Sequence, residues 1–191
     1  MNAKLWWAMV IILIAFNIFM LYTNIGTGKQ EVFEYNLEMN SKTAVTESLN
    51  GLLKLNLIDT NNQSVDIKRL LSHQRLKLFI FFSPKDCPSC LQEISLWNRI
   101  NKKLPIIVTG LIPHYNAKEV KIFAMNEGIE FEIWIDRVQK LFDWLDFSET
   151  PIKVLLDKSN KVVSITKSFL DPEIEKEYYK FVQKMVKSVS S

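Results

Sequence analysis

Apolar positions along the chain follow two different patterns. Residues 5–22 (LWWAMVIILIAFNIFMLY) are hydrophobic on every side, with Asn17 the one polar interruption. From residue 51 onward the apolar positions come in short runs parted by turn residues. Residues 54–59 (KLNLID) alternate as a strand does, with Leu55 and Leu57 on one face. The pair Asn61-Asn62 marks a turn. Residues 64–67 are predicted to return as a second short strand, and 67–71 to form a helical turn. Residues 76–83 (LKLFIFFS) are nearly all apolar and β-prone, as a strand buried on both faces is. Residues 88–104 read as a helix, with Leu91, Ile94, Trp97, Ile100 and Leu104 forming one apolar face. A buried strand over 105–112 follows. A helix over 117–127 ends at Gly128. A strand over 129–135 and a helix over 137–147 come next. Residues 152–156 and 162–165 flank Asp157-Lys158-Ser159-Asn160 as a hairpin, and a helix over 172–189 closes the chain. Strands alternating with helices, then a hairpin and a last helix, predict a three-layer α/β/α domain around a mixed sheet.

The apolar head is read as a membrane segment. Its 18 residues span roughly 27 Å as a helix, about one hydrocarbon core. Trp6, Trp7 and Tyr22 suit the two interfaces. A cleaved signal peptide and a buried core helix are the alternatives. No Ala-x-Ala follows the run, and a core helix is rarely apolar all round. No cysteine follows it, which excludes a lipoprotein anchor. The expected organisation is a cytoplasmic tip at 1–4, a single transmembrane anchor at 5–22, a polar stem at 23–50 and a folded domain at 51–191. Lys4 ahead of the span favours a cytoplasmic amino terminus, placing the domain outside the cytoplasm.

Charge sharpens this division. Of 24 Lys and Arg, only Lys4 precedes residue 29, and all 21 Asp and Glu follow residue 30. The remainder is nearly balanced, and a net charge of +3 is too mild to argue for nucleic acid. The chain has 2 cysteines and 2 histidines. That is too few for a disulfide scaffold or a four-thiolate zinc site, so no metal is expected. His73 falls in a connector and His114 after a strand end. Neither carries an expected catalytic role, and Trp97, Trp134 and Trp144 read as core.

Chemistry concentrates at Cys87-Pro88-Ser89-Cys90. The motif follows a buried strand and opens a helix. Cys87 falls at the N-cap and Pro88 at the first helical position, where its missing N–H costs nothing. Unpaired helix N–H groups stabilise a thiolate, so Cys87 is expected to attack, and Cys90, nearly one turn on, to resolve. No cofactor beyond a redox-active Cys87–Cys90 disulfide is expected. Two unlinked structural cysteines, or half of a metal site, are the plainer alternatives.

From residue 51 to the end the chain resembles membrane-anchored thioredoxin-fold proteins of the TlpA/ResA type, within the wider AhpC/TSA-like group. The stretches that carry the likeness are LKLNLIDTNNQSVDI, LFIFFSPKDCPSCLQEISLWNRI and ETPIKVLLDKSNKVVSI. The resemblance implies a cis bond at Thr150-Pro151 opposite the CxxC, with the Thr150 backbone offered to an extended substrate chain. It also implies a thiol–disulfide oxidoreductase that reduces disulfides of exported proteins, with electrons from a membrane thiol carrier. A disulfide-forming oxidant, and a binding module with an idle CxxC, share the same residues. The chain departs from the family at Asp86, where an aromatic usually precedes the first cysteine, and in its Pro-Ser dipeptide. Pro84 stands where a peroxidase of the superfamily has a threonine, which argues against peroxidase chemistry. The copper-delivering relatives need CxxxC.

Overall fold

The computed structural model describes residues 56–84, 88–113, 115–137, 150–169 and 171–190, all of which belong to one compact unit. The expected membrane segment, the stem, the helix over 137–147 beyond its first residue, His114 and Trp144 lie outside the described residues. No helix among the described residues is long and apolar enough to cross a membrane.

The elements run β1 (Leu57–Asp59), α1 (Ile67–Ser72), β2 (Lys77–Phe81), α2 (Pro88–Lys103), β3 (Ile107–Pro113), α3 (Ala117–Asn126), β4 (Glu132–Asp136), β5 (Ile152–Leu156), β6 (Val162–Thr166) and α4 (Pro172–Ser190). The strands form one six-stranded mixed sheet in the order β1-β4-β3-β2-β5-β6. β2, β3 and β4 are parallel; β5 and β6 continue antiparallel from β2, and β1 caps the far edge antiparallel to β4. The expected α/β architecture with a mixed sheet is therefore present.

Two short stretches differ from expectation. Residues 64–67 do not make a strand; Ser64 contributes a single bridge to Ile58. The Asp66 side chain accepts the Arg69 N–H and so starts α1 at Ile67, which ends the extended run. Leu91 does not join the buried face of α2 and is 43% exposed. Cys90, Glu93, Ile94, Leu96, Trp97 and Ile100 are buried instead. At 100° per residue that stripe centres on Glu93 and Trp97, and Leu91 falls on the far side.

The central strand β2 is buried along its whole length, and its alternate residues serve two different layers. Phe79 and Phe81 join Leu111, Trp134, Val154 and Leu156 in a wholly apolar cluster, covered by Ile67 and Leu70 of α1. On the other face Phe82 meets Trp97 of α2 and Phe123 of α3, with ring centroids 5.6 and 6.3 Å apart. Gly110 belongs to this face: a Cβ there would stand 2.9 Å from Phe82 and 3.1 Å from Phe131, so the close approach of those rings requires glycine.

Candidate dithiol site

The parallel strands end at the edge of the sheet where α2 begins. β2 finishes at Phe81, and α2 starts at Pro88 as the proline position anticipated. Ser83, just past β2, and Tyr115, just past β3, meet there through their hydroxyls at 3.2 Å. Lys85, Asp86 and Cys87 lie outside the described residues. Pro88 is exposed, Ser89 half-buried, and Cys90 only 1% exposed, so the first turn of α2 grades from solvent to core within three residues.

Cys90 is disulfide-bonded, and the sequence holds one other cysteine, Cys87. Across from the motif, the Thr150–Pro151 peptide bond is cis. The Ser89 hydroxyl donates to the Thr150 carbonyl at 3.5 Å, the long limit of a hydrogen bond. Thr150 is half-buried and Pro151 buried. The fold thus brings together Ser89 and Thr150, which stand 61 positions apart in sequence. The exposed-to-buried gradient over Pro88–Cys90, at the positive end of a 16-residue helix, suits thiol–disulfide exchange. One sulfur must be reachable and the other sheltered, and a thiolate is stabilised at the outer position.

A group absent from the sequence reading lies behind this turn. Glu93, one turn after Cys90, and Lys153, two residues after Pro151, form an ion pair of 2.6 Å with side-chain exposures of 2% and 0%. The ammonium donates to Glu93 Oε2. The other carboxylate oxygen, Oε1, accepts the backbone N–H of Phe169 at 2.6 Å. Lys153 Nζ also stands 3.6 Å above the Phe169 ring. Burial pushes the Lys153 ammonium down to about 8, with Glu93 pulling it back up. The Tyr178 hydroxyl, wholly buried, faces Thr166, Ser164 and Glu93, and burial pushes it well above its ordinary range. Among the described residues, no group of His, Cys, Asp and Glu could hold a metal ion.

No family model matches the sequence, and no curated protein matches it. Solved structures do. A secreted Mycobacterium tuberculosis disulfide oxidoreductase homologous to E. coli DsbE is 12% identical, with 66% of this chain and 92% of that one covered and a TM-score of 0.56. A thioredoxin-like protein from Porphyromonas gingivalis is 21% identical, covering 70% and 90%, at a TM-score of 0.57. A thiol-disulfide isomerase from Corynebacterium glutamicum is 14% identical, covering 68% and 90%, at 0.53. At these identities the likeness is one of fold: the chain carries a thioredoxin-like fold, as its resemblance to the TlpA/ResA type implied.

Proposed function

We propose that the protein is a thiol–disulfide oxidoreductase in which Cys87 attacks and Cys90 resolves. One observation carries this reading. The buried, disulfide-bonded Cys90 sits in the first turn of α2, next to a serine bonded to Thr150 of the cis Thr150–Pro151 pair. In the reducing direction, the Cys87 thiolate attacks a substrate disulfide. One substrate sulfur leaves as a thiolate, and Cys87 is joined to the other. Cys90, as thiolate, then attacks the Cys87 sulfur, closing the Cys87–Cys90 bond and releasing the second substrate sulfur. Two electrons pass to the substrate, and the spent disulfide is recharged by an external dithiol. The Thr150 backbone supplies the edge against which an extended substrate segment aligns.

The apolar run at 5–22 supports a single-pass tether, with the domain on the extracytoplasmic, periplasmic side and exported proteins as substrates. A membrane thiol carrier would then supply the electrons. The named activities of the solved structures of similar fold favour exchange over an idle CxxC. The test is reduction of insulin by the full-length chain with dithiothreitol as donor. Turnover well above the dithiothreitol background, lost in Cys87→Ser, is expected. No turnover above background would contradict the reading.

A further inference from the structure

A cleft of about 570 Å³ opens beside the dithiol, lined by the Thr60–Asn62 turn, by Tyr115 to Lys118, by Lys121 and by Arg137. Tyr115 follows β3 and Arg137 follows β4, so the cleft lies off the C-terminal ends of two parallel strands. That is where open α/β sheets hold ligands. β2, which leads into the cysteine motif, is the neighbour of β3. The two regions meet through the Ser83 and Tyr115 hydroxyls, 3.2 Å apart. Neighbouring strands are about 4.8 Å apart, which puts β4 roughly 10 Å from β2. The cis Thr150–Pro151 pair precedes β5, on the opposite side of β2. The strand that leads into the dithiol thus runs between the Thr150 edge and the cleft.

Charge says what the cleft suits. Lys118, Lys121 and Arg137 line it, and among the described residues no carboxylate does. The Lys121 ammonium donates to the Asn61 side chain and the Arg137 guanidinium to that of Asn62. Both acceptors are neutral amides, so these bonds fix the cations in the wall without cancelling their charge. Of the acids adjoining in sequence, Asp59 accepts the N–H groups of Asn61 and Gln63, Asp136 is buried in β4, and Glu119 does not line the cleft. The start of α3, capped by Asn116, adds its positive dipole end. The volume is in the range of sites for molecules much larger than one inorganic anion. We propose that this cleft is a specificity site of the oxidoreductase: it takes an acidic segment of the protein whose disulfide meets Cys87. The inference rests on the exchange chemistry proposed above and leaves its steps unaltered. A disulfide brings two chain segments to the dithiol; one aligns with Thr150 and the other enters the cleft. An extended chain advances about 3.3 Å per residue, so the acidic side chains stand about three to five residues from the attacked cysteine. Charge complementarity of this exposed kind acts on encounter, so its effect falls on kcat/KM and fades with salt.

Two synthetic peptide disulfides test this. Both are homodimers joined through one cysteine, identical except that one carries Glu and the other Gln at the positions three to five residues from it. The full-length chain reduces them with dithiothreitol as the two-electron donor, and the released thiol peptide is measured above the dithiothreitol background. Wild type is expected to reduce the Glu peptide with a kcat/KM about tenfold above that of the Gln peptide at low ionic strength. The preference should fall to within about twofold in about 0.5 M salt. Lys118→Glu/Lys121→Glu, at two exposed positions, is expected to lose or invert the preference and to keep the Gln peptide within about twofold of wild type. Equal kcat/KM for the two peptides in wild type would overturn the proposal, and so would a preference that survives in the double variant. Inhibition by inorganic phosphate with no preference for Glu would make the cleft a small-anion site and would overturn it too. If neither peptide is reduced, the exchange reading fails and binding decides for the cleft. A fluorescein-labelled Glu segment without cysteine should then bind wild type more tightly than its Gln counterpart and lose that advantage in the double variant; equal binding would overturn the proposal. Reduction of both peptides without preference sinks only the role of the cleft.

Discussion

The two faces of the sheet are built from the same strands and solve different problems. On one, Phe79, Phe81, Leu111, Trp134, Val154 and Leu156 close against α1 with no charged member in the cluster. On the other, the residues that alternate with them include Lys153, Ser164 and Thr166, all buried, facing Glu93 of α2 and Tyr178 of α4. The first face can be accounted for by burial alone. The second bears polar groups that are costly to desolvate, and it is the face on which the cysteine-bearing helix lies. The apolar face needs only close packing, whereas the polar face holds together only while its buried charges stay paired.

Substitutions can set the two faces against each other. Trp134→Ala, on the apolar face, is expected to cost about 4 kcal/mol of unfolding free energy. Resolution of a mixed disulfide should keep its wild-type rate below the lowered Tm. Denaturant melts, paired with the rate at which a pre-formed mixed disulfide on Cys87 releases its partner, check both halves of that statement. On the polar face, Lys153→Met leaves a buried carboxylate without its cation and is expected to cost about 3 kcal/mol, while Glu93→Gln/Lys153→Met recovers most of that loss. A double variant no more stable than the single one would show that the pair contributes through its contacts rather than its charges.

The smallest effect is in pH. The folded-state Lys153 is lowered to about 8 from 10.5, so between those values the unfolded chain binds the extra proton and folding stability rises with pH. Relative to the double variant, wild type should gain about 2 kcal/mol between pH 8 and 9.5, a window that ends before tyrosine ionisation in the unfolded chain opposes it. Urea melts across that range read the gain. A flat difference would mean that the ammonium is not held in a desolvated site.

Much of this was legible in the chain. The run LKLFIFFS could only be a strand buried on both faces, and it became β2. Proline directly after Cys87 fixed the start of α2. Asn62 and Asn160, read as turn residues, adopt positive φ of 65° and 63°. The short β1 region was harder to read. Asp59 accepts the N–H groups of Asn61 and Gln63, and Asp66 caps α1, so local side-chain bonds overrode the alternation.

The ion pair was missed for a different reason. Glu93 and Lys153 each break an apolar pattern on a face that the pattern assigns to the core. Lys153 stands inside IKVLL, a strand buried at all five positions, and Glu93 lies between Cys90 and Ile94 on the buried stripe of α2. A charge in such a place demands a partner of opposite sign. That demand was readable in each segment separately, but which two segments answer each other depends on a contact 60 positions apart.

Which cysteine attacks is the central claim, and trapping tests it most directly. Reduced Cys90→Ser and Cys87→Ser forms of the full-length chain are each exposed to a disulfide-bearing protein such as insulin, quenched in acid and weighed by mass spectrometry. The account predicts that Cys90→Ser accumulates a stable mixed disulfide through Cys87, and that Cys87→Ser, with its remaining sulfur 1% exposed in the native fold, accumulates almost none. Equal trapping by both variants, or trapping by Cys87→Ser alone, would contradict it.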